Sequence, residues 1–125
     1  MCLDKTEKFK VHKNYGWTII MRDKDTEEIR PIFKHRTHPG YKYMPIVFNQ
    51  WQRDHNDYLI GNKGDQYQTG FHIFLRQRDA GAWKYNDEVK KVYFREVVAK
   101  GMQHICGISD GVKVVVARER YIVDN

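Results

Sequence analysis

Residues 67–83 read Tyr-Gln-Thr-Gly-Phe-His-Ile-Phe-Leu-Arg-Gln-Arg-Asp-Ala-Gly-Ala-Trp, and this stretch carries the clearest structural signal in the chain. The apolar run Phe71–Phe74 follows a polar segment that ends at Gly70, and small residues then lead to Trp83. A short apolar run after turn residues is typical of a buried strand, and the small residues behind it favour a helix. We therefore predict a buried strand here, followed by one short helix at 76–85.

Strand signals also lie before this stretch. Residues 17–21 and 28–33 are rich in strand-forming side chains, and an Asp-containing run with turn character separates them. This pattern predicts a β-hairpin. Because Pro31 has no backbone N–H to donate, we expect the second strand of the hairpin to lie at a sheet edge.

The C-terminal third of the chain predicts two further strands. Residues 89–100 combine apolar side chains, such as Val92, Phe94 and Val98, with basic ones, and this predicts a strand that ends at Gly101. Ser109–Gly111 has the composition of a tight turn. The last strand is expected over 112–123. Its three consecutive valines, Val114–Val116, predict that both faces of the sheet are covered there.

These elements predict an α+β fold, a mostly antiparallel sheet with one short helix packed on it. A length of 125 residues is typical of one domain, so we expect residues 1–125 to form a single domain, with 1–13 as a mobile leader or a short edge element. The sequence contains no apolar run near the ~18 residues of a membrane span and no signal-peptide core. Its two cysteines make no disulfide framework. We expect a cytoplasmic protein without membrane contact.

The charge balance points to anionic partners. Lys and Arg number 22 against 16 Asp and Glu, which gives a formal net charge of +6, and the two signs are interleaved along the chain. A basic surface favours nucleic acid, a nucleotide or an acidic protein as the partner. A basic protein that has no anionic partner is the open alternative.

Arginines near the C-terminus are the strongest candidates for an anion site. Arg118 and Arg120 share one face of the last strand, and guanidinium groups bind phosphate in a bidentate manner. The alternative is a pair of charges that protects a strand end from edge pairing. His72 is either a donor to the ligand or a buried, hydrogen-bonded histidine. The complete predicted ligand-binding set is Arg118, Arg120, Arg22, His72, Phe74, Trp83 and Tyr67.

Four further aromatic residues have two open interpretations. They can stack on a base, or they can form the core that a small domain needs. They are Tyr41, Tyr43, Trp51 and Tyr58.

A second basic surface is predicted in a loop that contains Lys34, His35, Arg36 and His38, which is suited to nucleic acid or a protein partner. His35 and His38 are spaced i, i+3, but no third ligand is fixed beside them, so no metal site is predicted. No phosphate-binding glycine motif and no nucleophile elbow occur in the sequence. The sequence therefore predicts no cofactor and favours binding over catalysis.

The pattern formed by Gly70–Phe74, Asp79-Ala80 and Val114–Arg118 resembles one found in small proteins of phage and prophage genomes. Small basic proteins of such genomes often act as counter-defence proteins, either as CRISPR inhibitors or as sponges for cyclic nucleotide signals. The resemblance implies a non-enzymatic protein of the host-cell cytoplasm that sequesters an anionic, nucleotide-like ligand, with homo-oligomerisation as an option. The alternative is a direct inhibitor of a nucleic-acid-handling defence protein, or a nucleic-acid binder.

The strand Gly70–Phe74 with Ala80 and Ala82 behind it also resembles part of the ADP-ribosyltransferase fold. In that fold a Glu-Tyr-Ile strand comes near the end, and Glu119 is similar to its glutamate, with Arg120 inserted before the tyrosine. This resemblance implies a third function, an ADP-ribosyltransferase-like enzyme with Glu119 as the catalytic residue.

Overall fold

The computed structural model describes residues 3, 5–7, 9–22, 29–31, 42, 44–62, 65–82, 88–105 and 108–124. Strands dominate its regular structure. In chain order the elements are β1 (Lys5–Thr6), β2 (Tyr15–Arg22), β3 (Ile29–Pro31), β4 (Trp51–Arg53), β5 (Leu59–Asn62), β6 (Asp65–Gln68), β7 (Phe71–Phe74), α1 (Gln77–Ala82), β8 (Glu88–Ile105) and β9 (Ile108–Ile122).

Seven of these strands form one sheet whose pairings close on themselves. The order is β1-β8-β2-β7-β9-β4, β3 pairs with β2, and β8 also pairs with β9. The neighbours β8, β2, β7 and β9 therefore lead back to β8, through antiparallel pairs. β5 and β6 form a separate two-stranded sheet. All four side chains of β7 are buried, and its apolar residues belong to two apolar clusters.

Two apolar clusters use the alternation of the central strands. Phe74 of β7 belongs to one cluster, while Phe71 and Ile73 belong to the other. The valines of β9 alternate in the same way: Val114 and Val116 join the first cluster and Val115 joins the second. All three valines are at most 1% exposed, which confirms that both faces of the sheet are covered at this point.

β2 and β7 approach each other so closely at one point that only glycine fits. Trp17 pairs with Phe74 there. A Cβ atom on the neighbouring Gly16 would lie 2.6 Å from Cγ2 of Ile73 and would also meet the carbonyl oxygen of Phe74. Glycine at position 16 therefore permits the pairing that closes the ring of strands.

The long hairpin of β8 and β9 departs from the predicted strand ends. β8 continues past Gly101, and the predicted turn at Ser109–Gly111 is wrong, because these residues lie within β9. The chain reverses between Ile105 and Ile108, which pair with each other. Gly101 is paired with β1 on one side and with β9 on the other, so strand pairing overrides its low strand propensity.

The predicted fold is confirmed as a mostly antiparallel sheet with one short helix in the described part, although the strand content is higher than an α+β label implies. The predicted hairpin is confirmed as β2 and β3, with Pro31 opposite Ile20. The helix spans six residues within the predicted range, and residues 83–87 lie outside the described part. Among the residues described, no helix is long and apolar enough to cross a membrane.

Candidate functional site

Three members of the predicted ligand set lie in the core. Phe74 is 1% exposed, and Tyr67 and His72 are also buried. The Tyr67 hydroxyl accepts a hydrogen bond from the backbone N–H of Leu3 at 2.6 Å and lies 3.3 Å from Nε2 of His72. Ligand binding by these residues stays a prediction, and a ligand would reach them only if the core opened.

Arg118 is a buried cross-link that ties β9 to two other segments. Its Nη1 donates to the carbonyl oxygens of Asn56 and Thr69, each at 2.6 Å, and its Nη2 donates to the carbonyl oxygen of Asp54 at 3.0 Å. Nη1 also lies 3.7 Å from Oδ2 of Asp54, so a buried carboxylate faces the buried charge. The geometry favours a structural role for Arg118, and phosphate binding by this side chain stays a prediction.

The cross-link also fixes the position of β4. Asp54 directly follows β4, and its backbone N–H donates to the carbonyl oxygen of Arg118 at 2.9 Å. Oδ1 of Asp54 accepts hydrogen bonds from the backbone and the side-chain amide of Asn56, at 2.9 and 3.1 Å. The Thr69 hydroxyl donates to the carbonyl oxygen of Asn56 at 2.8 Å. This buried network holds the short edge strand Trp51–Arg53 against β9.

Arg120 is also buried, beside an aromatic ring. Its Nε and Nη2 each donate to Oε1 of Gln52 at 3.1 Å. The guanidinium carbon lies 3.9 Å from the ring centroid of Phe71. Phosphate binding by Arg120 stays a prediction as well.

Of the remaining predicted site residues, the structure describes the side chain of Glu119 but not those of six others. Glu119 accepts hydrogen bonds from Arg95, and its side chain is only 18% exposed. These contacts do not test catalysis by Glu119, which stays a prediction. The side chains that lie outside the described residues are those of Arg22, Lys34, His35, Arg36, His38 and Trp83.

A row of four aromatic side chains crosses four strands of the sheet. Tyr15 of β2 pairs with Tyr93 of β8, Tyr93 pairs with Tyr121 of β9, and Tyr121 pairs with Trp51 of β4. The successive ring centroids are 6.4, 6.3 and 5.8 Å apart, and the rings meet edge to face. Residues directly opposite each other in antiparallel pairs lie on the same face of a sheet, so all four rings share one face. We call this row the aromatic ladder.

The aromatic ladder is accessible to solvent, although its strands are anchored in the core. Trp51 is 41% exposed, and the three tyrosines are partly exposed. The residues that alternate with them along β8 and β9, such as Val92, Phe94 and Ile122, are buried. The buried residues therefore anchor the strands, while the four rings face the solvent on the other side of the sheet.

Cationic side chains lie against the ladder. Nζ of Lys91 is 4.6 and 5.1 Å from the centroids of the first two rings, those of Tyr15 and Tyr93. Nζ of Lys13 is 5.3 Å from the first ring. The guanidinium carbon of Arg95 is 3.8 Å from the ring centroid at the far end, that of the tryptophan. A surface that alternates rings and cations can contact planar bases and phosphates together.

Two carboxylates reduce the positive charge at the β4 end of the ladder. Arg95 donates to Glu119 through Nε and Nη2, at 3.0 and 3.4 Å. Arg53 donates to Glu96 at 2.7 Å, and this hydrogen bond and the charge of Glu96 raise the pKa of the Arg53 guanidinium. Within the described ranges, the two lysines beside the tyrosines have no carboxylate partner. Among the residues that the structure describes, the β2 end of the ladder is therefore the more positive end.

In the part of the chain that the structure describes, no group of three or more His, Cys, Asp or Glu side chains could hold a metal ion. Comparisons with protein-family models, with curated proteins and with solved structures found no match. The resemblances to phage-encoded proteins and to the ADP-ribosyltransferase fold therefore stay hypotheses, and the function is inferred from the geometry of the site.

Sequence reasoning singles out one member of the ladder, Trp51, and misses the three tyrosines. A local signal was present in Lys91–Arg95, which reads Lys-Val-Tyr-Phe-Arg. On a strand, this order places two cations and a tyrosine on one face and two apolar side chains on the other. The pattern indicates a basic and aromatic stripe, but it does not say which strands lie beside it.

Proposed function

We propose that this protein binds single-stranded nucleic acid on the aromatic ladder and catalyses no reaction on it. The observation that carries the proposal is four partly exposed rings in direct cross-strand register, with Lys13, Lys91 and Arg95 against them. The rings supply stacking surfaces for successive bases, and the cations supply charge for the phosphates between them.

A single strand suits this surface better than a duplex does. In a duplex the bases are stacked on one another and offer only their edges in the grooves. The bases of a single strand are free to present their faces to aromatic side chains. A row of rings also takes any sequence, because every base has a π face, so we expect little sequence preference.

The expected affinity is in the micromolar range. Each stacked base contributes about 1–3 kcal/mol when measured by alanine substitution. A micromolar dissociation constant corresponds to about −8 kcal/mol. Stacking of about three bases, together with two or three phosphate contacts, is therefore sufficient.

Sequestration of a nucleotide-like signal is the other hypothesis for the ligand. A mononucleotide offers one base to the ladder, whereas an oligonucleotide offers several, so the ladder favours the oligonucleotide. A counter-defence role is compatible with either ligand and stays a hypothesis.

The test is fluorescence anisotropy with a labelled single strand of mixed sequence, about 10 nucleotides long. Trp51→Leu keeps apolar bulk at the edge of the sheet but removes the ring, so we expect its affinity to fall about 10-fold or more. Leu59→Ala is the matched control, because Leu59 is an exposed apolar residue, at 60%, on the separate β5–β6 sheet. We expect this control to bind as the wild type does.

Three results would count against the proposal. Wild-type protein that binds no oligonucleotide at low salt would show that the ladder serves another purpose, such as docking of a protein partner. Equal losses in the two variants would show that the binding is not located at the ladder. Tighter binding of AMP or ADP-ribose than of the single strand would favour the sequestration hypothesis.

A further inference from the structure

A basic cleft lies next to the β2 end of the aromatic ladder. Its volume is about 300 Å³, at the lower end of the range for small-molecule sites. Three parts of the chain form it: the segment before β2, the two residues between β7 and α1, and one residue of β9. The lining residues are Phe9, Lys10, Val11, His12, Lys13, Leu75, Arg76 and Lys113.

The charge of the basic cleft is strongly one-sided. Lys10, Lys13 and Lys113 are exposed, and none of the lining residues is acidic. Arg76 is the one lining cation with a carboxylate partner in the described ranges, since its Nε lies 3.1 Å from Oδ2 of Asp79. Three exposed lysines that line one opening attract a multiply charged anion.

Phe9 lines the basic cleft together with its lysines. Nζ of Lys100 donates to the carbonyl oxygen of Phe9 at 2.5 Å, and this hydrogen bond holds the backbone of Phe9 in place. The ammonium groups of Lys100 and Lys113 lie 5.7 and 5.3 Å from the Phe9 ring centroid. The cleft therefore combines cations for a phosphate with a ring for the group attached to it.

Lys13 joins the basic cleft to the ladder. Lys13 is one of the residues that line the cleft, and its Nζ lies 5.3 Å from the ring centroid of Tyr15, the first ring of the ladder. A strand that stacks along the ladder and ends at Tyr15 would place its terminus at the opening of the cleft.

We infer that the basic cleft binds the terminal phosphate of the single strand whose bases stack on the ladder. A terminal phosphate monoester carries about −1.5 to −2 charges at pH 7, whereas an internal phosphodiester carries one. The inference rests on the proposed function, because the ladder positions the strand. Either end of a nucleic acid can carry such a monoester, so the chemistry is shared by a 5′-phosphate and a 3′-phosphate.

The experiment compares one labelled single strand in three forms: with hydroxyl groups at both ends, with a 5′-phosphate, and with a 3′-phosphate. We expect one phosphorylated form to bind about 10-fold more tightly than the hydroxyl form, as one added contact between charged groups implies. Lys113→Ala should remove this difference between the phosphorylated and the hydroxyl forms. Lys113→Arg should restore the difference, and Lys42→Ala, a change at an exposed lysine that does not line the cleft, should preserve it.

The outcomes separate the two proposals. Equal affinities for all three forms, with the loss at Trp51→Leu intact, would overturn the cleft and keep the ladder. A phosphate preference that Lys113→Ala leaves unchanged would also overturn the cleft, because the preference would arise elsewhere. A phosphate preference that depends on Lys113, together with full binding by Trp51→Leu, would overturn the ladder and, with it, the inference that the ladder positions the strand end at the cleft. Absence of binding for every form would overturn both.

Discussion

At the scale of single residues, Arg118 shows how burial decides what a cation does. The same guanidinium fork that binds phosphate in an exposed site satisfies three backbone carbonyls here and faces the carboxylate of Asp54. The side chain of Arg118 is 6% exposed, so water does not compete for these contacts. A buried charge without its partners is costly, which makes this cross-link an important part of the fold.

Replacement of Arg118 tests this role. We expect Arg118→Ala to lower the free energy of unfolding by about 3–5 kcal/mol, because it removes the hydrogen bonds to three buried carbonyls and the positive charge that faces the buried carboxylate of Asp54. The measurement is the midpoint of urea denaturation. Arg95→Ala is the control, because Arg95 is exposed and its ion pair with Glu119 contributes about 1 kcal/mol or less.

The opposite pattern would restore the phosphate prediction for Arg118. In that pattern, Arg118→Ala has the same midpoint of urea denaturation as the wild type but no longer binds nucleotide. Arg118→Lys gives a second measure, since one ammonium group cannot reach all the acceptors of the fork, and its midpoint should fall between those of the wild type and Arg118→Ala.

At the scale of elements, the hairpin of β8 and β9 contains a local irregularity beside the ladder. Glu96 has φ of 58°, which is the left-handed region that side chains other than glycine adopt at a cost. The register of the hairpin shifts between Val97 and Ala99. Glu96 also pairs with Arg53 of β4, so the irregular position contacts the same edge strand that carries Trp51.

Two substitutions at Glu96 together measure the free-energy cost of its positive φ. Both Glu96→Gly and Glu96→Ala remove the ion pair with Arg53, so their difference reports the cost of the positive φ. We expect the glycine variant to be more stable than the alanine variant by about 1 kcal/mol, measured by urea denaturation.

The matched control is the same pair of changes at Arg95, an exposed strand position that is not among the residues with positive φ. There the order should reverse, because glycine lowers the stability of a regular strand. An alanine variant that is the more stable one at both positions would mean that residue 96 can adopt a regular strand conformation.

At the scale of the whole molecule, the net charge of +6 makes ligand binding sensitive to salt. Each phosphate contact on a single strand contributes a slope of about −0.7 to a plot of log K against log salt concentration. We expect Lys91→Ala to reduce the slope by about 0.7, because Lys91 is one of the ladder cations. Lys42→Ala changes the net charge by the same amount outside the ladder, and it should leave the slope unchanged.

A slope that falls equally in both variants would contradict this prediction. It would mean that the net charge as a whole, rather than the cations beside the rings, attracts the strand. Anisotropy titrations at several salt concentrations provide both slopes.

The sequence by itself determined the elements whose signals are local. The apolar run Phe71–Phe74, the valines 114–116 and the hairpin of β2 and β3 depend on neighbouring residues, and the structure confirms them. Local signals misled where pairing with another strand is stronger than intrinsic propensity, as at Gly101 and Ser109–Gly111. The sequence also determined a basic protein with many aromatic residues.

Only the tertiary structure decided which of these residues meet. The four rings of the ladder come from positions 15, 51, 93 and 121, and strand register alone brings them into one row. Arg118 and Arg120 are polar residues that the sequence places on a surface, yet the fold buries them because carbonyl and amide acceptors from distant segments surround them. Exposure depends on what packs over a residue, and that is set by contacts between segments far apart in the chain.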